Sequence, residues 1–360
     1  MDGLLNALES EGCVSSVTLV TDSPVEKSRL ELGWSPDFEG NYEHRLLSTE
    51  ALVVDYIERS PKDAIHVFLG IRHIGCVVNG LKACLRSGRR FGILHEPRVR
   101  EGVFGGVRYA QSWLTESRLR RKAMFVLAIG AHGPAWFLNT GYSAEKVFPF
   151  AYFIDRNTGS VPSSHSNKLR IGYFGRLDRE KGIMDFIAAS RLVQVPAEFL
   201  IAGAGELAEE CRKAAATDNR VDFLGALPMK QVQQRLQQVD ILVQPSRTTN
   251  DGWGVIVSEA LLSGCAVIAS DVVGSSVCLG ENWRGRVIPV GSPSKIASAV
   301  SEIKRDGILS DKGRARRSGW ADRHLTGAVG ARYFLEIMGS LLEGRARPRS
   351  YLNERDNIAS

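Results

Sequence analysis

The amino-acid sequence predicts an α/β protein made of two doubly wound domains with parallel sheets. Three observations carry this. Short apolar runs alternate with helical patterns along the whole chain, as they do in successive βαβ units. The runs are apolar throughout, without the polar alternation of a half-solvated strand, so helices are expected on both sheet faces. A Ser- and Pro-rich stretch without periodicity, "SVPSSHSN" (160–167), reads as a linker between two halves of similar size. A chain of 360 residues suits two domains of ordinary size.

Taken in order, the chain opens on "MDGLLNALESEG", an amphipathic helix pattern, and only then reaches a strand, "VSSVTLVT" (14–21). A doubly wound domain normally opens with a strand and a tight turn, and that strand lies mid-sheet. Here the first strand of the N-terminal domain is missing. Either translation starts further upstream or the domain fills the gap another way; without that strand the sheet should lack its central ladder partner, leaving backbone groups unpaired or an apolar gap. Further strands are "AIHVFLG" (64–70), "RFGIL" (90–94), "FVLAIG" (125–130) and "KVFPF" (146–150). The second half restarts with "LRIGYFG" (169–175). It continues through "AEFLIAG" (197–203), "VDFLG" (221–225), "DILVQP" (240–245), "AVIAS" (266–270) and "RVIPV" (286–290). The expected boundaries are 1–160 and 161–325, with a helix and frayed tail over 326–360 that packs back on the first domain. Two such domains imply a cleft between them.

Composition sets outer limits. Hydrophobic residues make up 44% and charged residues 24%, ordinary values for a soluble globular chain. The net charge is +6, and its excess is local. Between 82 and 122 the basic residues are Lys82, Arg86, Arg89, Arg90, Arg98, Arg100, Arg108, Arg118, Arg120, Arg121 and Lys122, against Glu96, Glu101 and Glu116. The segment is either a solvated helix face or a patch that docks on an anionic bilayer, where each basic residue adds about 1 kcal/mol. Nucleic acid is disfavoured, because neither a recognition motif nor interleaved aromatics accompany the charge. The six cysteines form no CxxC pair, which points to a reducing compartment without a disulfide framework or metal site. With neither a signal peptide nor an apolar run near the ~18 residues of a span, the expected place is the cytoplasm, with peripheral contact at the inner face of the plasma membrane.

Three stretches concentrate chemistry. "IGYFGRLDREKG" (171–182) ends a strand at Gly175 and places Arg176 and Lys181 five apart at a helix start, a seat for phosphate oxygens. It reads equally as a turn with solvated basic residues. "IAGAGE" (201–206) ends the next strand with Gly203 and Gly205, which let backbone approach a ligand closely or simply make a tight turn. "QPSRTTNDGWG" leads into "VIVSEALLSG", a helix whose N-terminus near Gly254 offers N–H groups and the positive dipole end to a diphosphate. Asp251 and Glu259 stand eight positions apart around that start. Carboxylates beside so apolar a run need donors, and sugar hydroxyls supply them. Trp253 reads as packing rather than base stacking; His66 and His73 read as structural.

These motifs, with "VVGSS" (272–276), resemble the C-terminal domain of the retaining GT-B glycosyltransferases of family four, of the type that builds bacterial lipopolysaccharide or exopolysaccharide. The resemblance covers 168 to 300 closely and the N-terminal domain loosely. It implies GT-B architecture, a nucleotide-sugar donor and a glycan or polyprenyl-linked acceptor, met by an acceptor-side first domain. It assigns Arg176 and Lys181 to the donor diphosphate and its departure, Gly254 and Val255 to N–H contacts with phosphate, and Glu259 to donor hydroxyls. Gly175, Gly203, Gly205 and Gly252 join them as donor-binding positions. Asp251 stands where the family's E-x7-E signature has its first Glu, one methylene shorter. His95, at the end of "RFGIL", matches a His that contacts the donor sugar, or is a loop His with no role. No Asp-x-Asp is placed to hold a metal, and no cofactor is implied; Asp178 and Glu180 read as a helix start. A nucleotide-sugar-binding protein lacking catalysis, or an epimerase on the same architecture, stays open as an alternative. A phosphorylase needs a longer chain, and a nicotinamide oxidoreductase needs a GxGxxG after a strand.

Overall fold

The structure, a computed structural model, describes residues 2–12, 14–25, 40–72, 74–99, 102–155 and 168–353, with the backbone alone at 103 and 251. The expected linker at 160–167, and His73, lie outside the described residues. The chain forms two compact units. Among the described residues, the N-terminal unit holds 2–155 and 326–353, and the C-terminal unit holds 168–325.

The N-terminal unit begins with α1 (Asp2–Ser10), whose Leu4 and Leu8 are buried. β1 (Thr18–Thr21) follows, shorter than the apolar run predicts, because the Val17 N–H donates to the Glu9 side chain at 2.6 Å. β2 (Glu43–Leu46) is exposed along its length, and its sequence EHRL carries no apolar signal. α2 (Glu50–Arg59) starts where the Thr49 hydroxyl accepts the Leu52 N–H. Then come β3 (Ile65–Leu69), α3 (Gly75–Ser87), β4 (Arg90–His95), α4 (Val103–Thr115), α5 (Ser117–Lys122), β5 (Val126–Ile129), α6 (Gly133–Asn139) and β6 (Val147–Phe150). β3 to β6 make a four-stranded parallel sheet in sequence order. β1 and β2 form a separate parallel pair, and no ladder joins the two sheets among the described residues. On β3, Val67 is 42% and Leu69 45% exposed.

The C-terminal unit is continuous. β7 (Leu169–Phe174), α7 (Ile183–Leu192), β8 (Ala197–Ala202), α8 (Ala208–Thr217), β9 (Val221–Gly225), α9 (Met229–Leu236), β10 (Ile241–Gln244), α10 (Val255–Leu262), β11 (Ala266–Ser270) and β12 (Gly285–Ile288) alternate as a doubly wound domain should. α11 (Pro293–Arg305) and α12 (Asp311–Leu325) complete it. The six parallel strands run in the order β12-β11-β10-β7-β8-β9. One core fills the face under α7, α8 and α11, with Ile171, Phe186, Phe199, Ile268 and Val300 all buried. The last helix, α13 (Gly327–Glu343), returns to the N-terminal unit. There Gly327 lies so near the Gly3 backbone that a Cβ would stand 2.2 Å from the Gly3 carbonyl oxygen.

Candidate active site

In the C-terminal sheet the strand order reverses between β10 and β7. At such a switch point the loops after neighbouring strands diverge and leave a crevice outside the carboxyl ends, where open α/β sheets take ligands. The loops after β7 and β10 flank this one.

The loop after β7 carries Gly175, Arg176 and Lys181. It is fixed from within: the Tyr173 hydroxyl donates to the Arg176 carbonyl at 2.6 Å, and Asp178 Oδ1 accepts the Lys181 N–H at 2.7 Å. The Arg176 guanidinium is 64% exposed and pairs with Asp178 Oδ2 at 3.0 Å. An exposed pair of this kind is worth ~0–1 kcal/mol, so a doubly charged anion can draw the Arg away. Gly203 and Gly205, after β8, hold this loop down. A Cβ at Gly203 would stand 1.8 Å from the Gly175 carbonyl oxygen, and one at Gly205 would stand 2.4 Å from that of Leu177. These glycines are needed by the close approach of two turns.

The loop after β10 is stitched to the first. The Arg247 N–H donates to the Glu180 carbonyl at 2.6 Å, and Asn250 Nδ2 to Glu180 Oε2 at 3.0 Å. Gly182, with φ of +72°, presses against Pro245, whose carbonyl oxygen a Cβ would meet at 2.0 Å. Arg247 also forms a two-pronged bond to buried Asp185, at 2.8 and 2.6 Å. The sequence reading missed Arg247; an Arg in the strand-end loop 244–254 was its only signal. Further on, Gly274 N–H donates to Gly252 carbonyl at 2.9 Å and Ser275 N–H to Trp253 carbonyl at 2.8 Å, so "VVGSS" braces the start of α10. Trp253 is fully buried and its Nε1 donates to Ser258 Oγ at 2.9 Å, which makes it a packing residue as expected.

α10 starts at Gly254, in left-handed conformation, and no side chain caps it among the described residues. Its first N–H groups and dipole end are of the kind that an anion can meet. Val257, Ser258, Ala260 and Leu261 are buried, whereas Val255 and Glu259, four residues apart on one helix face, are not fully enclosed. Burial pushes the Glu259 carboxyl up to about 7, and among the described residues no donor meets it. A desolvated carboxyl without a partner is costly unless something else supplies donors. Asp251 lies in the short 3₁₀ turn Thr249–Asp251; its side chain is outside the described residues.

His95 ends β4 in the N-terminal unit, 6.2 Å from the Phe137 ring centroid to centroid. Its neighbour Glu96 accepts a hydrogen bond from Tyr152. The remaining predicted positions stand together at the carboxyl ends of the C-terminal sheet.

Residues 168–306 match the family model of glycosyl transferases group 1. This is the unit that holds the crevice. Among curated relatives, the putative teichuronic acid biosynthesis glycosyltransferase TuaC of Bacillus subtilis is 28% identical over 173 residues, which cover 46% of this chain and 42% of that protein. The chain spans less than half the length of the curated relatives it matches. Among solved structures, Anabaena Alr3699/HepE in complex with UDP-glucose superposes with a TM-score of 0.68 at 16% identity, covering 93% of this chain and 94% of that one. The apo lipopolysaccharide outer core galactosyltransferase WaaB gives 0.68 at 18% identity, covering 94% of each chain. The fold is therefore that of the GT-B glycosyltransferases.

Proposed function

We propose that this chain is a glycosyltransferase that moves a sugar from a nucleoside diphosphate donor to a glycan or polyprenyl-linked acceptor in cell-surface polysaccharide synthesis. Transfer proceeds with retention of anomeric configuration and without a metal ion. The observation that carries the reading is Glu259, a desolvated carboxyl without a described partner, one turn from an uncapped helix start and on the same crevice as Arg176 and Lys181. Diphosphate oxygens suit the helix start and the two cations; sugar hydroxyls suit the carboxylate. The group 1 match and the UDP-glucose complex of the Anabaena protein support that donor class. Relatives named for teichuronic acid and amylovoran biosynthesis support the acceptor class.

The chemistry follows from charge. When the anomeric C–O bond breaks, its electron pair stays on the diphosphate oxygen. Arg176, Lys181 and the α10 N–H groups stabilise that charge where it develops. The acceptor hydroxyl enters on the face the diphosphate leaves. The metal-free reading rests on Asp178 and Glu180, which are already engaged, the first with Arg176 and the Lys181 N–H, the second with Asn250. His95 contacts the donor sugar in this reading, and Asp251 a hydroxyl beyond the phosphates. For a lipid-linked acceptor, the basic excess of 82–122 supports docking on the cytoplasmic face of the plasma membrane.

The test is transfer from a panel of nucleotide sugars by Glu259→Ala, Arg176→Ala and Lys181→Ala, with binding followed separately. Glu259→Ala should weaken donor binding and nearly abolish transfer. The two cation variants should lose about 100-fold or more in kcat, with smaller changes in KM. Full turnover by Glu259→Ala would end the assignment, as would activity that EDTA removes and added metal restores. A second reading, donor binding without transfer, is favoured by the divided sheet of the N-terminal unit; nucleotide-sugar binding with no turnover on any acceptor would select it.

A further inference from the structure

Helix α4 turns Tyr109 inward onto the Trp136 ring, 4.2 Å between centroids. On the same side Ser112 is buried and accepts from Arg98 Nη1 at 3.0 Å, and half-buried Arg108 donates from Nη1 to the Val99 carbonyl at 3.2 Å. Four other large apolar side chains stand in solvent. Phe104 is 70% exposed, Val107 60%, Trp113 57% and Leu114 69%. Positions 104, 107 and 114 follow the three- and seven-residue spacing of one helix stripe. Scattered surface apolar residues are ordinary, but four on one helix mark a surface that meets something.

The surrounding charge selects the partner. On α5, directly after this helix, Arg118, Arg121 and Lys122 are exposed. Arg120 turns back, lies 5.8 Å over the Trp113 ring and donates to the Ser112, Trp113 and Thr140 carbonyls. The nearby carboxylate is withdrawn: Glu116 is buried, paired with Arg72 at 2.7 Å and bonded by the Tyr142 hydroxyl at 3.0 Å. An apolar stripe of Phe, Val and Leu beside exposed cations is the make-up of a helix that lies in an anionic lipid interface.

We propose that α4 is an interfacial docking helix: Phe104, Val107 and Leu114 enter the acyl boundary of an anionic bilayer while Arg118, Arg121 and Lys122 meet lipid phosphates. This deepens the membrane part of the proposed function, and rests on it for the acceptor's location. Vesicle binding needs neither donor nor acceptor, so it can fail while transfer stands, and the reverse.

The experiment is co-sedimentation of the full chain with phosphatidylglycerol–phosphatidylcholine vesicles and with phosphatidylcholine vesicles alone, alongside sedimentation velocity without lipid. The variants are Phe104→Ser/Leu114→Ser, Val107→Gln/Leu114→Gln and Arg118→Gln/Arg121→Gln/Lys122→Gln. All replaced side chains face solvent, and a melt at the parent temperature confirms each fold. The parent chain should bind the anionic vesicles and bind the neutral ones weakly. Each variant should lose about tenfold in affinity or more, and salt should abolish what binding the two apolar variants keep. Parent-level vesicle binding by both apolar variants would overturn the proposal. So would a parent chain that ignores anionic vesicles, whether it stays monomeric or self-associates through this face.

Discussion

Among the described residues the C-terminal unit carries six parallel strands in one ladder, whereas the N-terminal unit divides its six into a pair and a quartet. The difference reaches the loops. Around the C-terminal crevice each strand-end loop is held by its neighbour: Gly175 by Gly203, Glu180 by Arg247, Gly182 by Pro245, Gly252 by Gly274. The candidate side chains of the crevice thus project from backbone that has little freedom left, which is how a site is preorganised. The N-terminal unit keeps β1 and β3 as open edges, and their outer N–H and C=O groups have no ladder partner among the described residues. Asp22, just past β1, accepts the Cys76 N–H at 3.4 Å and so ties the pair to the start of α3. What is rigid in one unit is held in the other by a few long-range contacts.

The strongest way to break this comparison is to overfill one loop contact and leave an open one alone. Gly203→Ala places a Cβ 1.8 Å from the Gly175 carbonyl oxygen, while Gly70→Ala, also at positive φ, meets nothing within 4 Å. The first should cost about 3 kcal/mol or more and remove donor binding. The second should cost about 1–2 kcal/mol, the backbone penalty alone. Denaturant titration of both variants checks this; equal losses would mean the C-terminal loops are not braced as described.

Hydrogen exchange sharpens the same contrast at smaller scale. Amides of β10, paired on both sides to β7 and β11, should exchange about two orders of magnitude more slowly than those on the outer edge of β3. Equal protection would show that the edge of β3 is covered and the division of the sheet has no energetic consequence.

How much of this was legible in the sequence follows from what each element is made of. Buried parallel strands announce themselves as apolar runs, so β7 to β12 stand within a residue or two of their expected places. β2 does not, because EHRL is exposed and has neither apolar residues in alternation nor a turn signal. The opening helix was legible too: its amphipathic pattern precedes the first strand, and α1 stands there. At the site, glycines and cations at strand ends were readable as local patterns. The bonds from Arg247 to Asp185 and from Gly274 to Gly252 were not, because they join segments far apart in the chain. The outward apolar face of α4 was hidden for another reason: periodicity says that a helix has two faces but not which one turns inward.

The finest test uses pH, because the two units should respond with opposite sign. Glu259 in the C-terminal unit is raised from 4.5 to about 7 by burial. Between those values the folded chain holds a proton that the unfolded chain has released, so stability is full below 4.5 and falls as pH rises towards 7. The loss amounts to about 3 kcal/mol, and Glu259→Gln should abolish the slope. His66 in the N-terminal unit, bonded to Ser60 Oγ at 3.1 Å, is lowered from 6.5 by burial and by the Arg89 charge. Its unfolded form takes a proton first as pH falls, so this unit is at full strength above 6.5 and weakens below it. His66→Asn should flatten that second slope without touching the first. Melting followed by residue-resolved exchange at pH 5, 6 and about 7.5 separates the two units. A nucleoside diphosphate sugar, by donating hydroxyls to the charged Glu259, should recover the C-terminal loss at the upper end and leave the N-terminal slope unchanged. If both units shift in the same direction, or if the sugar nucleotide leaves the Glu259 slope intact, then the carboxyl does not wait for a ligand.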